Sequence, residues 1–290
     1  MKELVVVSGK GGTGKTSLTA AFAVLAGRSV IADCDVDAAD LHLVLSPRIE
    51  ERREFRSGRV AFVREEECNG CGECLARCRF GAVRTNGRSG AEERVSIDPV
   101  SCEGCGVCVR FCPERAIDFP ERLSGEWMIS ETRRGPMVHA RLGVAAQNSG
   151  KLVSTVRREA RRIAEENGLS LILVDGPPGI GCPVIASVTG ASLVLIVTEP
   201  TVSGEHDLDR VLSLARHFEI PAAVCVNKWD LNPEVSDRIE ESARRAGARV
   251  AGRVRYDLSF VRAQLQERAV VEIEAPCAED VRLVWSRIAP

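Results

Sequence analysis

The chain has 290 residues, of which 44% are apolar and 28% charged, and its formal net charge at pH 7 is −2. This is the balance of an ordinary globular protein, long enough for one large domain or two modest ones, and it offers no strongly basic face to nucleic acid or an anionic membrane. No apolar run approaches the roughly 20 residues of a spanning helix. The first nine residues have neither the length nor the cleavage pattern of a signal peptide. A cytoplasmic protein is expected, with no nucleic-acid partner and no stable membrane association.

Residues 3–8 are a short apolar run that reads as a buried strand and leads straight into a glycine-rich loop. Leu18–Leu25 reads as a helix, and Val30–Ala32 as a second strand ending at Asp33-Cys34-Asp35. Strand, loop, helix and strand at this spacing open a parallel βαβ sheet. The pattern breaks near residue 47. Residues 50–67 are charged, with an edge strand or hairpin expected around Phe55–Val63, and residues 68–115 carry two cysteine groups separated by the polar stretch Thr85–Glu93. Beyond about residue 120 the α/β pattern returns. Strands are expected at Leu171–Val174, Leu193–Val197, Ala222–Val226 and Val250–Val254, and helices at Leu152–Glu166 and near 205–218, 233–246 and 277–288. The division expected is one α/β domain in two parts, 1–62 and 121–290, interrupted by a smaller domain at 63–120.

The loop Gly9-Lys10-Gly11-Gly12-Thr13-Gly14-Lys15-Thr16, followed by Ser17, fits G-x-x-x-x-G-K-[ST] between a strand and a helix. Glycines let backbone N–H groups turn inward onto phosphate oxygens, and the helix N-terminus adds its dipole. In such a loop Lys15 reaches the β- and γ-phosphates and the Thr16 hydroxyl ligates Mg²⁺. Only five lysines occur, and Lys10 is one of them.

Cys68, Cys71, Cys74 and Cys78 give C-x2-C-x2-C-x3-C. Cys102, Cys105, Cys108 and Cys112 repeat it 34 residues later and add Pro113, where the first run has Arg79. Eight of twelve cysteines in two tight groups, without a secretory signal, argue for metal rather than disulfides. Close thiolates on one loop suit three irons of a cubane, with the fourth iron served from farther along the chain. Paired zinc sites are the alternative, but they use C-x2-C units without a third close cysteine. The run resembles that of bacterial ferredoxins, in which the fourth cysteine of each run ligates the other cluster. That resemblance assigns Cys68, Cys71, Cys74 and Cys112 to one [4Fe–4S] cluster, and Cys102, Cys105, Cys108 and Cys78 to a second. Arg77, Arg79, Arg110 and Arg115 flank the runs, either to raise the cluster potentials, to dock an acidic partner or to keep the insert soluble.

The run Lys10 to Thr16 resembles the deviant P-loop of the MinD/ParA/Mrp and nitrogenase iron protein superfamily. The resemblance implies an ATP-dependent homodimer in which Lys10 crosses to the partner's phosphates. It also implies that Asp33-Cys34-Asp35-Val36-Asp37 is switch I, with Asp35 at the attacking water and Asp33 near Mg²⁺, while Asp37 either joins them or caps a helix. Asp175-Gly176-Pro177-Pro178-Gly179 resembles the segment that holds Mg²⁺ and reports on the γ-phosphate. Asn227-Lys228-Trp229-Asp230 resembles the base-recognition loop. Arg255 and Asp257 fall where family members close over the base. Asn-Lys-x-Asp also has a guanine-selective reading in GTPases, and the deviant loop favours ATP. Gly135–Arg141, Asn148–Val153 and Thr198-Glu199-Pro200 are similar to segments of MinD-like ATPases that carry an inserted ferredoxin domain.

The expected fold is therefore α/β: a doubly wound, mostly parallel P-loop NTPase sheet with an inserted α+β bacterial-ferredoxin-like domain. Lys10, Lys15 and Asp35 are the expected catalytic residues, and ATP or ADP, Mg²⁺ and two [4Fe–4S] clusters the expected cofactors. An ATPase that couples nucleotide state to electron transfer toward a protein redox partner ranks first. An Fe–S cluster scaffold or carrier serving an acceptor protein ranks second, weakened by the lack of a C-x-x-C pair after residue 200. A MinD-like positioning ATPase with a redox-sensing insert ranks third. Cys225 reads as inert core, and Cys34 and Cys182 fall in switch segments beside the nucleotide. Cys182 reads either as a buried small residue or as a ligand of a transient metal or cluster at a dimer interface, and His139 either as a structural histidine or as one facing the clusters.

Overall fold

A computed structural model describes residues 1–85, 95–143 and 149–289. Most of the polar stretch Thr85–Glu93, and Asn148, lie outside the described residues. In chain order the strands and helices are β1 (Lys2–Ser8), α1 (Lys15–Ala26), β2 (Val30–Asp33), α2 (His42–Leu45), β3 (Arg48–Arg59), β4 (Phe62–Val63), α3 (Glu73–Arg77) and β5 (Val83–Thr85). There follow β6 (Val95–Ile97), α4 (Val107–Phe111), β7 (Ile117–Asp118), β8 (Glu121–Thr132), β9 (Gly135–Leu142), α5 (Ser149–Glu166), β10 (Leu171–Pro178) and α6 (Cys182–Val188). The chain closes with β11 (Leu193–Thr198), α7 (Val202–His217), β12 (Ala222–Asn227), α8 (Pro233–Arg245), β13 (Arg249–Val254), α9 (Ser259–Gln264) and α10 (Pro276–Ile288).

The chain divides into two compact units. One comprises Met1–Arg53, Glu126–Leu142 and Ser149 onward; the other is Glu54–Gly125 with Gly143.

The first unit is built on a sheet of order β13-β12-β11-β1-β10-β2-β9-β8-β3. From β13 to β9 the seven strands β13, β12, β11, β1, β10, β2 and β9 run parallel to one another. Such strands are covered on both faces, which is why they read as continuous apolar runs. Their side chains still alternate: Leu4, Val6, Leu173, Leu195 and Cys225 join one core with Phe22 of α1 and Val281 of α10. Val5, Val7, Val174 and Ile196, fully buried as well, point to the opposite face. There α5 is locked to β1 by an ion pair: Arg157 Nε donates to Glu3 Oε1 at 2.6 Å and Arg161 Nη2 to Glu3 Oε2 at 2.7 Å.

Three sequence expectations need amendment. Helix α1 begins at Lys15 rather than Leu18, so its first turn carries the P-loop lysine and threonine. Of the edge strand or hairpin expected around Phe55–Val63, the edge strand is present, but it begins earlier, as one long strand Arg48–Arg59 at the end of the sheet. The β8–β9 pair, which the pattern did not indicate, extends the sheet and sets Met137, Val138 and His139 beside Ile31, Ala32 and Asp33.

The second unit has two small antiparallel sheets, β4 with β7 and β5 with β6, around a core of Ala61, Cys74, Val83, Val95 and Ile117. Both cysteine runs fold alike. Gly70 and Gly104 (φ 71° and 66°) and Gly72 and Gly106 (φ 75° and 71°) are left-handed at matching positions, a conformation that favours glycine. Each run then enters a helix of five residues, α3 or α4.

Candidate functional site

In the first unit the loops after β1, β2, β10, β11 and β12 leave the carboxyl ends of adjacent parallel strands, the edge at which such sheets bind ligands. The P-loop turns on Gly12 and Gly14 at φ 79° and 86°. A Cβ on Gly14 would stand 2.4 Å from Asn227 Nδ2, so the loop can rest on Asn227 only as glycine.

Lys15 is 6% exposed, and its ammonium lies 3.0 Å from Asp175 Oδ1 and 3.3 Å from Asp35 Oδ2. Burial lowers its pKa, but Asp175, Asp35 and Asp33 outweigh this and hold it above the ordinary value. Thr16 Oγ1 donates to Asp175 Oδ2 at 2.7 Å and Thr19 Oγ1 to Asp175 Oδ1 at 2.9 Å. Thr19 was not among the expected site residues; its place one turn beyond Lys15 is the signal that would have found it. Asp33 accepts from the Asp35 amide at 3.1 Å with Oδ1, while its buried Oδ2 has no hydrogen-bond partner. Burial and the neighbouring Asp175 push the Asp33 carboxyl well above its usual range. Burial also raises that of Asp35, against the pull of Lys15. The orphaned Asp33 oxygen, the Asp175 carboxylate and the Thr16 hydroxyl beside it are hard oxygen donors of the kind Mg²⁺ takes.

Lys10 is held within the chain. Its ammonium sits 2.6 Å from Glu199 Oε1, 3.1 Å from Ser203 Oγ and 3.3 Å from Thr201 Oγ1. The other oxygen of Glu199 receives Lys228 at 3.0 Å, and Lys228 also donates to Gly12 O at 3.1 Å. Burial raises the pKa of Glu199, but the two lysines hold it below the usual value. Glu199 thus joins Lys10 of the P-loop to Lys228, a role that the Thr198-Glu199-Pro200 segment does not reveal by itself.

Asn227 is 4% exposed, donates to Thr13 O at 2.8 Å and accepts from the Lys228 amide at 3.0 Å, so both ends of its amide engage the protein. The β12–β13 register brings Asn227 beside Val254. Asp230 Oδ1 accepts from the Tyr256 amide at 2.7 Å, and Arg255 pairs with Asp280 at 2.6 Å. Asp257 caps Ser259 at 2.7 Å. The two segments expected at the base are thus neighbours. Ser17 follows in the first turn of α1, half-buried.

Of the remaining cysteines, Cys34, Cys225 and Cys277 are buried. Burial pushes the Cys34 thiol well up, and that of Cys225 to about 12. The expectation that Cys182 is a buried small residue is corrected: it opens α6 ahead of Pro183 and is exposed. His139 is 7% exposed and shares a 2.8 Å hydrogen bond with Ser130, the arrangement of a structural histidine.

In the second unit Cys68, Cys71, Cys74 and Cys112 line one small recess walled by Val63, Val95 and Ile117. Cys112 Sγ accepts from the Ala116 amide at 3.3 Å. Cys78, Cys102 and Cys108 pack on the same apolar core. Burial raises the Cys78 pKa, but the amides of Phe80, Ala82, Val83 and Gly81 outweigh it and hold the thiol below its ordinary value. Burial, reinforced by Cys102 and Cys105, takes Cys108 up to about 11. Among the described residues no three His, Cys, Asp or Glu side chains gather around a single ion position.

The profile of the CobQ/CobB/MinD/ParA nucleotide-binding domain matches residues 4–270. An uncharacterised protein of Methanocaldococcus jannaschii is 32% identical over 234 residues, covering 79% of each chain. Among solved structures, the cell division ATPase MinD of Pyrococcus furiosus superposes with a TM-score of 0.58 at 16% identity, over 99% of this chain and 98% of that one. MinD of Pyrococcus horikoshii complexed with Mg-ADP gives 0.58 at 16%, over 99% and 96%. At these identities the likeness is one of fold.

Proposed function

Because the chain belongs to the CobQ/CobB/MinD/ParA nucleotide-binding family, we propose that it is a Mg²⁺-dependent ATPase whose nucleotide cycle is coupled to electron transfer through two [4Fe–4S] clusters in its cysteine-rich unit. The observation that carries the redox half is the recess onto which Cys68, Cys71, Cys74 and the distant Cys112 all face. A single zinc ion needs thiolates about 2.3 Å from one point. A cubane instead spreads four thiolates over four irons, which fits sulfurs that share a recess without converging. The amides aimed at Cys78 favour thiolate over thiol, and Cys112 Sγ accepts from the Ala116 amide.

In the nucleotide site, Gly9, Gly11, Gly12, Thr13 and Gly14 supply amides for the phosphates, and Lys15 turns from its carboxylates to the β- and γ-oxygens. Thr16, Asp33 and Asp175 hold Mg²⁺, which when bound neutralises developing phosphate charge. Asp35, 8% exposed beside Lys15, orients the attacking water. Lys10 leaves Glu199 for the γ-phosphate of a second copy. Asn227 and Lys228 shape the floor of the base site, with Arg255 and Asp257 at its rim.

The test is an anaerobic redox titration followed by electron paramagnetic resonance, without nucleotide and with MgADP or MgATP. Two low-potential [4Fe–4S] signals whose midpoints or line shapes move with MgATP are expected. Unchanged signals detach the clusters from the ATP cycle and leave cluster carriage or positioning as the function. No cluster signal after anaerobic reconstitution removes the ferredoxin assignment.

A further inference from the structure

The first unit holds a recess of about 740 Å³ whose lining includes none of the residues assigned to nucleotide or Mg²⁺. Its floor is His139, Ala140 and Arg141 at the end of β9, with Met128 of β8 beside them. Its walls come from α2, the start of β3, and the end of α9. The volume is in the range of sites for organic molecules.

The lining divides in two. Leu43, Ile49, Val261 and Leu265 are 43%, 43%, 55% and 82% exposed, four aliphatic side chains left in water around one concavity. The polar part carries two arginines and two glutamates. Arg52 pairs with Glu126 at 2.9 Å, and Glu267 accepts from Ser46 Oγ at 2.6 Å, which leaves Arg141 as the arginine of the recess without a carboxylate partner among the described residues. Arg141 is exposed and, among the described residues, makes no ion pair or hydrogen bond through its guanidinium; the His42 ring likewise has no partner. His42, Arg141 and Arg52 all act on the His139 ring: after burial they are its leading influences, and together they take it down to about 4, while Glu126 opposes them. His42, Arg141 and Arg52, from α2, β9 and β3, line the same recess as the His139 ring. An uncompensated guanidinium at the foot of an apolar cleft has little structural purpose; it is suited to an anion.

We infer that this recess binds an organic anion, its carboxylate or phosphate on Arg141 and His42 and its apolar body against Leu43, Ile49, Val261 and Leu265. The ligand site is separate from the P-loop, and α2 lies in the chain just beyond the Asp33–Asp37 segment.

The probes are sodium octanoate and octyl phosphate below their micellar concentrations, with 1-octanol as the uncharged control, added to the full-length protein. Binding is followed through the imidazole resonances of its four histidines. His42 and His139 line the recess, and His206 and His217 on α7 serve as internal references. The expected result is a saturable shift of His42 and His139 alone by at least one of the anions, persisting with MgADP bound. Octanoate shifting and octyl phosphate not doing so identifies a carboxylate, and the reverse a phosphate. Arg141→Ala should weaken anion binding at least tenfold and leave octanol unchanged, and Arg141→Lys should restore part of it. Because Arg141 is exposed and unpaired, both variants should fold, which unchanged MgADP affinity would establish. Neither anion shifting His42 and His139, all four histidines shifting together, or equal binding by Arg141→Ala overturns the inference. None of these outcomes bears on the ATPase reading.

Discussion

At the scale of single residues, the lysine that distinguishes this P-loop is not idle in the isolated chain. Lys10 pairs with Glu199 across 189 positions of sequence, at 2.6 Å. No local pattern announces such a contact, whereas the phosphate-binding loop itself was legible because its glycines and Lys15 are contiguous. If Lys10 serves the phosphates of a second copy, Lys10→Ala should lower kcat by about 10³-fold, as loss of a cation at a transferring phosphoryl group does, and abolish ATP-dependent dimerisation in sedimentation runs. Glu199→Gln should act in the opposite sense. A partly exposed pair contributes at most about 1 kcal/mol, so freeing Lys10 in both copies should tighten the ATP-bound dimer by up to about 25-fold. Weaker dimerisation in that variant would mean that Glu199 supports Lys10 in the active state instead of restraining it. The cysteines permit an equally local experiment. If the two proposed clusters are present, with Cys112 facing the recess of Cys68, Cys71 and Cys74, Cys112→Ser should lose the cluster of the first run, while Cys78→Ser should lose that of the second. Each should leave about half the iron. Disappearance of the second-run signal in Cys112→Ser would show that the fourth ligands do not cross.

At the scale of elements, the regular parallel strands were readable and the sheet's far edge was not. β1, β10, β11 and β12 are buried on both faces and spell continuous apolar runs. β3 is a sheet edge and alternates arginine with glutamate, so its side chains pair along the strand: Arg48 with Glu50, Arg53 with Glu51 and Arg56 with Glu54 at 3.0, 2.5 and 2.8 Å. A charged edge deters pairing with other chains, but it also hides a strand from a hydrophobic pattern. The β8–β9 turn is similarly fixed by groups remote in sequence. Arg133 and Arg134 bind Glu272 at 2.7 and 3.1 Å, and Glu272 also accepts from the Ala269 amide at 2.8 Å. Burial raises the Glu272 carboxyl, but Arg133, the Ala269 amide and Arg134 outweigh it and take its pKa from 4.5 to about 2. A depressed carboxylate stabilises the fold above its unfolded value and loses that contribution as pH falls through its folded value. The contribution here is at most about 3 kcal/mol at neutral pH. Urea unfolding of Glu272→Gln should therefore show its full deficit above about pH 5 and converge on the parent between about pH 4.5 and 2. A deficit independent of pH would assign the loss to packing.

At the scale of the whole molecule, the sequence divides its chemistry between two units, phosphate binding in one and thiolates in the other. The repeat of 34 residues was visible because both cysteine runs need the same left-handed glycines. If the two units are coupled as proposed, the coupling is a free energy with a measurable consequence. If MgATP moves a cluster's one-electron midpoint, reduction must move MgATP affinity by the same free energy, since coupling between two ligands is reciprocal. A displacement of about 59 mV corresponds to a tenfold change in the dissociation constant. A downward displacement on binding MgATP means that the oxidised protein binds the nucleotide more tightly, and an upward one that the reduced protein does. Calorimetric titration of MgATP into oxidised and into reduced protein, with hydrolysis suppressed by Asp35→Asn, gives the second leg of this cycle. The potentials measured with and without MgATP on the same variant give the first. Agreement within about a factor of two would make the two units one thermodynamic machine at equilibrium. A moved midpoint with an unmoved affinity would break the cycle, and the apparent shift would then reflect slow exchange or hydrolysis during the titration rather than coupling.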